Sequence, residues 1–225
     1  MNMDVVHGPV FDPPLYLISD RRRFPEPHPG ETFHPEEWRA LAAALGAGIG
    51  ALQLREKDLP GRPLHERARA LLEIASGTRV KLLVNDRADV ARAAGAHGVH
   101  LPESGLPVAD ARAVVGAEAL IGCSVHAAAA LGRARGADFV LFGPVFDTPS
   151  KRVYGPPQGL ARLEEVCAAS ALPVLAVGGI TAARVGEAVA RGAAGVAVIG
   201  HVLGDADPEA RVCELVRALA RAGLT

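Results

Sequence analysis

The chain has 225 residues, of which 49% are hydrophobic, enough for one compact domain with a sizeable core. Its formal net charge of -1 excludes a global pull towards nucleic acid or a membrane surface, so any anion site must be local. Three widely spaced cysteines, Cys123, Cys167 and Cys213, exclude a complete disulfide framework and any CxxC metal pair, and suit a reducing cytoplasm.

Residues 1–14 read as an N-terminal extension to a single domain spanning 1–225. They lack a basic start followed by a sustained apolar run, so no signal peptide is expected, and no segment is apolar for long enough to predict a membrane helix. LYLIS from Leu15 is the first strand, followed by a proline-rich loop, Asp20 to Pro35. Its Arg21–Arg23 run reads as a solvated stretch that could nonetheless close over a ligand. A helix is predicted over Glu36–Leu45. The GAGIG that follows, Gly46 to Gly50, lies after a helix and before a strand, the reverse of a dinucleotide-binding turn.

From there strands and helices alternate to the end of the chain. The strands are ALQLR from Ala51, VKLLV from Val80, HGVHL from His97, ALIGC from Ala119, DFVLF from Asp138, PVLAV from Pro173 and GVAVI from Gly195. The helices interleaved with them are Leu64–Ala75, Ala88–Ala94, Val108–Val115, Ala127–Arg135, Leu160–Ala169, Ala182–Arg191 and Pro208–Ala222. Near-continuously apolar strands, each followed by a helix, predict a parallel sheet covered by helices. Eight such repeats predict closure into a (β/α)8 TIM barrel, with a doubly wound open sheet as the alternative.

A barrel's working groups collect just after its strands, because the loops there surround the mouth while the interior is packed. These exits carry Gln53, Arg55 and Lys57; Asn85 and Asp86; His100 and Glu103; Ser124 and His126; Thr148, Ser150 and Lys151; Gly178 and Gly179; and Ile199, Gly200 and His201. Gln53, Arg55 and Lys57 alternate, so they project to one side and aim two cations at the mouth. Arg55 could instead pair with Glu56 or Asp86, and Asn85 and Asp86 could cap the next helix. VGGIT, Val177 to Thr181, and the turn at Gly200 offer open backbone for a phosphate, although glycines also simply permit tight turns. His126 can transfer a proton near neutral pH. His97 and His100 stand an odd step apart, face opposite sides of a strand and cannot form one metal pair.

Taken together, QLREK, NDRADVARAAGAHGVHL, IGCSVH, GPVFDTPSK, PVLAVGGIT and GVAVIG resemble the thiamine-phosphate synthase and TenI family, in order over Leu15 to Leu203. The resemblance implies a barrel that binds a phosphorylated thiazole, in a protein that commonly forms homodimers. In the synthase branch, a pyrimidine diphosphate ionises and the thiazole nitrogen captures the cation. There the resemblance assigns the diphosphate to Arg55, Lys57, Asn85 and Lys151, with Gln53 near the pyrimidine and Mg2+ between Asp86 and a second aspartate. Gly105 occupies that second position, and Gly200 replaces a phosphate-contacting serine. TenI-like proteins aromatise a thiazole phosphate carboxylate by moving a proton, need no cofactor, and carry their acid/base histidine at His126. The expectation is therefore a TenI-like tautomerase in which Thr148, Ser150 and Lys151 grip ligand anions, Ser124 lies beside the substrate and the glycine turns seat the phosphate. The synthase is the alternative, and a non-catalytic thiazole-phosphate sensor is a further one.

Overall fold

The computed structural model describes residues 10–148 and 156–224. Eight parallel strands close into a barrel in sequence order: β1 Leu15–Ile18, β2 Ala51–Leu54, β3 Lys81–Asn85, β4 Gly98–Leu101, β5 Leu120–Val125, β6 Phe139–Phe142, β7 Val174–Val177 and β8 Gly195–Val198. All eight match the predicted strands to within a residue or two, and β1 pairs with β8 through Leu15↔Val196 to close the ring. The open-sheet alternative is excluded.

The outer layer comprises α1 Pro35–Gly46, α2 Gly61–Ile74, α3 Ala88–Ala94, α4 Val108–Val115, α5 Gly159–Ala169, α6 Ala182–Val189, α7 Gly200–Leu203 and α8 Pro208–Arg221. Local chemistry sets several of their starts. Asp207 Oδ1 accepts the Ala210 amide at 3.0 Å, with Pro208 in the first turn of α8, which satisfies an otherwise unpaired helix donor. The predicted helix at Ala127–Arg135 is instead a 3-10 helix, Ala128–Ala134, in which Ala134 alone is fully buried. A run of alanines offers no large apolar stripe to hold an α-helix against the barrel. The short α7 has no counterpart in the sequence reading, since four residues are too few to show helical period.

Two cores follow from strand alternation. Leu15, Leu17, Leu52, Leu54, Leu82 and Val84 point outwards and pack against the helices. Tyr16, Ile18, Ala51, Leu83, Phe139, Leu141, Leu175 and Ala197 fill the barrel. Phe11, from the segment preceding β1, stacks on Tyr16 at 5.5 Å and meets Phe139 edge-on at 5.2 Å, sealing the strand-entry end. Gly122 is needed in this interior, because a Cβ there would stand 2.3 Å from Phe139 and 2.6 Å from His100 Nδ1. The barrel is thus closed below and open above, where the strands exit.

Candidate active site

The same alternation that buries Tyr16 and Leu83 places the next inward position of each strand at the mouth. A cavity of about 590 Å3 opens there, lined by Gln53, Arg55, Lys57, Asn85, His100, Ser124, His126, Thr148, Gly178, Gly179, Ile199 and Gly200 among others. The residues predicted from separate strand exits are therefore brought together. Ser150 and Lys151 lie outside the described residues. Asp86 is exposed and stands beside the β3 exit rather than on the cavity wall.

The floor is neutral and polar. Gln53 Nε2 donates to Tyr16 Oη at 3.1 Å, and His100 Nε2 shares a 2.9 Å hydrogen bond with Ser124 Oγ. Burial, aided by the Arg55 cation, pushes His100 down to about 3, so its ring is neutral at physiological pH and fixed in orientation by Ser124. The sequence reading placed His100 at the exit but gave it no role; its step from His97 was the available signal. His97 indeed faces the other way, where its Nδ1 accepts the Leu82 amide at 3.0 Å.

One wall is cationic. Among the described residues neither Arg55 nor Lys57 forms an ion pair, and the pairing of Arg55 with Glu56 or Asp86 is not what the structure shows. Glu56 is buried and engaged elsewhere: it accepts from Ser19 Oγ at 2.5 Å and from the Arg21 amide at 3.1 Å, while Ser19 Oγ accepts the Arg55 amide at 2.9 Å. This network ties the β1 exit to the β2 exit and leaves the Arg55 and Lys57 side chains to the cavity. Arg55 holds the Lys57 ammonium below the usual lysine range, with burial and Arg22 adding to the effect and Asp86 opposing it. Two cations this close form a natural seat for a polyanion.

The wall at the β7 and β8 exits is backbone. Gly178 and Gly179 have φ of 97° and 65°, a left-handed turn that favours glycine. Side chains would also not fit, since a Cβ on Gly178 would meet Pro144 at 2.5 Å and one on Gly179 would meet the Asp147 carbonyl at 2.7 Å. Ile199 and Gly200 continue this wall at the β8 exit.

The third side carries His126, whose Nδ1 contacts the Glu103 carboxylate, a partner that the sequence did not reveal. Neither Asn85 nor Asp86 caps α3: its N-cap residue is Arg87, without a side-chain cap bond. Asp86 adopts φ 63°, tolerated by aspartate, and its carboxylate faces Gly105. Arg21–Arg23 form a 3-10 turn in which Arg22 and Arg23 are exposed, as the solvated reading expects, while Arg21 is partly covered. Arg21 is held by Asp58 at 2.6 Å and Glu26 at 2.7 Å, whereas Arg22 and Arg23 reach the cavity.

The family description for thiamine monophosphate synthase matches residues 15–202. The chain belongs to the thiamine-phosphate synthase and TenI family. It is 50% identical over 184 residues to the thiamine-phosphate synthase of Methanoculleus marisnigri, covering 81% of this chain and 86% of that protein. It is 42% identical over 198 residues to the thiamine-phosphate synthase of Roseiflexus castenholzii, covering 87% and 83%. Among solved structures it resembles the thiamine phosphate pyrophosphorylase from Pyrococcus furiosus with a TM-score of 0.79 and 30% identity, over 92% of this chain and 96% of that one. Membership makes this protein an enzyme of the thiamine pathway. Among the described residues no helix is long and apolar enough to cross a membrane.

Proposed function

We propose that the protein is a thiamine-phosphate synthase, joining a pyrimidine diphosphate to a thiazole phosphate with release of diphosphate. The observation that carries this reading is the presence of two separate anion seats in one cavity: Arg55 and Lys57 on one wall, the Gly178–Gly179 and Gly200 turns on the other. A reaction of two phosphorylated substrates needs both seats. The chain's 50% and 42% identity to proteins named thiamine-phosphate synthase supports this branch over the tautomerase that the sequence alone favours.

In this reading the bond between the pyrimidine methylene carbon and the diphosphate oxygen breaks, and the electron pair leaves with the diphosphate. Arg55, Lys57 and Asn85 stabilise the charge that develops there, an electrostatic role suited to preorganised cations that have no ion-pair partner among the described residues. The thiazole nitrogen then donates its lone pair to the methylene carbon. Gln53 and the neutral His100–Ser124 pair line the same cavity, offering hydrogen bonds without a competing charge. Lys151 would add a further cation from the β6 exit.

Mg2+ would be held at the rim by Asp86, whose carboxylate stands beside the cavity and faces Gly105, as a single protein carboxylate completed by substrate phosphate oxygens and water. Glu103, the other nearby acid, is committed to His126. When bound, the ion would neutralise charge on the departing diphosphate. Purified protein given thiazole phosphate, the pyrimidine diphosphate and Mg2+ should produce thiamine phosphate and diphosphate in equal amounts. No product under saturating substrates would refute the assignment.

The contact between His126 and Glu103 favours a second reading, a tautomerase, because a carboxylate that orients an imidazole is a common arrangement for proton transfer. Aromatisation of the thiazole carboxylate tautomer, lost in His126→Ala, would establish it.

A further inference from the structure

Arg23 stands where a side chain at position 200 would be. A Cβ built on Gly200 would lie 2.4 Å from Arg23 Nη2 and 3.1 Å from Nη1, and one on Gly204 would lie 3.2 Å from Nη1. The guanidinium thus lies directly on the β8 exit, at the glycine-lined wall of the cavity. Its Nε has one carboxylate nearby, Asp20 Oδ2 at 3.5 Å. Among the described residues its Nη atoms have no hydrogen-bond acceptor.

The turn that presents it is anchored from below. The Arg21 amide donates to buried Glu56, and the Arg21 side chain is clamped by Asp58 and Glu26. Arg23 therefore comes from a loop remote in sequence yet is held in place, with its outer donors facing the cavity. A guanidinium with free Nη donors beside open glycine backbone matches the paired oxygens of a phosphate.

We propose that Arg23 is the side-chain ligand of the phosphate of the thiazole substrate, and that position 200 is glycine in order to admit its guanidinium. This rests on the reading that the β7 and β8 exits seat a phosphate, and it adds the group that supplies the charge. The two positions form one device: a residue larger than glycine at 200 displaces the arginine, and loss of the arginine leaves the turn with backbone donors only.

Titration calorimetry on the full-length protein with thiazole phosphate and with the dephosphorylated thiazole alcohol tests this. Arg23→Met keeps much of the stem while removing the charge, and should weaken thiazole phosphate about 10-fold or more while leaving the alcohol within about twofold. Gly200→Ala should cause a similar selective loss and add little in the Arg23→Met background, because both changes remove the same contact. Phosphate affinity retained in Arg23→Met, or equal weakening of both ligands, would overturn the assignment of Arg23. A wild-type protein with no preference for the phosphorylated thiazole would instead refute the phosphate seat itself, and the assignment with it.

Discussion

Gly105 faces the carboxylate of Asp86: a Cβ at position 105 would lie 3.0 Å from Asp86 Oδ1. A carboxylate at 105 would therefore join Asp86 at one point of the rim, and its absence leaves a lone acidic anchor there. Gly105→Asp should restore the pair and lower the Mg2+ concentration needed for half-maximal thiamine phosphate formation by about 10-fold, because oxygen ligand count tunes affinity for this ion. Pro102 Cδ, 2.9 Å from the added Cβ, must give way, so a stability loss of about 1–3 kcal/mol is expected alongside. An unchanged Mg2+ response in a folded variant would show that the two positions do not share an ion.

His126 separates the two chemistries. Cation capture by the thiazole nitrogen requires no proton from His126, so His126→Ala should retain thiamine phosphate formation to within about tenfold, whereas loss of a true general acid or base costs about 10²–10⁴-fold. Glu103→Gln, which keeps the shape but removes the charge against His126 Nδ1, should follow the same pattern. Steady-state rates of both variants decide it, and a collapse in synthesis would assign proton transfer to the pair.

The eight strands were legible because each is a short apolar run bounded by turn chemistry, and one closed parallel arrangement accommodates eight of them followed by helices. The working positions were legible for the same reason: alternation along β2 carries the inward direction from Ala51 through Gln53 to Arg55. Contacts between exits were not. Nothing in the spacing says that Glu56 turns to Ser19 and the Arg21 amide rather than to its neighbour Arg55, or that Glu103 meets His126, because such pairs depend on loop paths. The Arg21–Arg23 run was legible only in part, for a related reason. A cluster of arginines reads as solvated, and Arg22 and Arg23 are exposed, but Arg21 is only 14% exposed, and the turn it fixes delivers Arg23 to Gly200.

The depressed Lys57 ammonium makes diphosphate binding pH-dependent. The free folded protein releases this proton below the usual lysine value of 10.5, while a bound polyanion favours the protonated form. Affinity for diphosphate should therefore weaken as pH rises through the depressed pKa towards 10.5, and binding in that window should take up a proton. Calorimetry in buffers of differing ionisation enthalpy reads the uptake directly, and Lys57→Met should abolish it. In the free protein the sign for folding is opposite: the unfolded chain holds the proton more tightly, so this group's contribution to stability rises with pH across the same window.

The loop that carries Arg22 and Arg23 is secured by a buried ion pair. Arg67 on α2 contacts Glu37 on α1, both with side chains 3% exposed, and Arg67 Nη1 donates to the Thr32 carbonyl at 2.6 Å while its guanidinium lies 3.9 Å over the Phe33 ring. Burial opposes charge on both partners, pushing Glu37 up and Arg67 down. Removing one partner leaves the other charge uncompensated, so Arg67→Met should cost about 3–5 kcal/mol, while Arg67→Met combined with Glu37→Leu should be closer to neutral because neither charge is then buried. Denaturant unfolding of the three proteins measures this. A single variant within about 1 kcal/mol of wild type would show that water reaches the pair, and that the loop is secured by its other contacts.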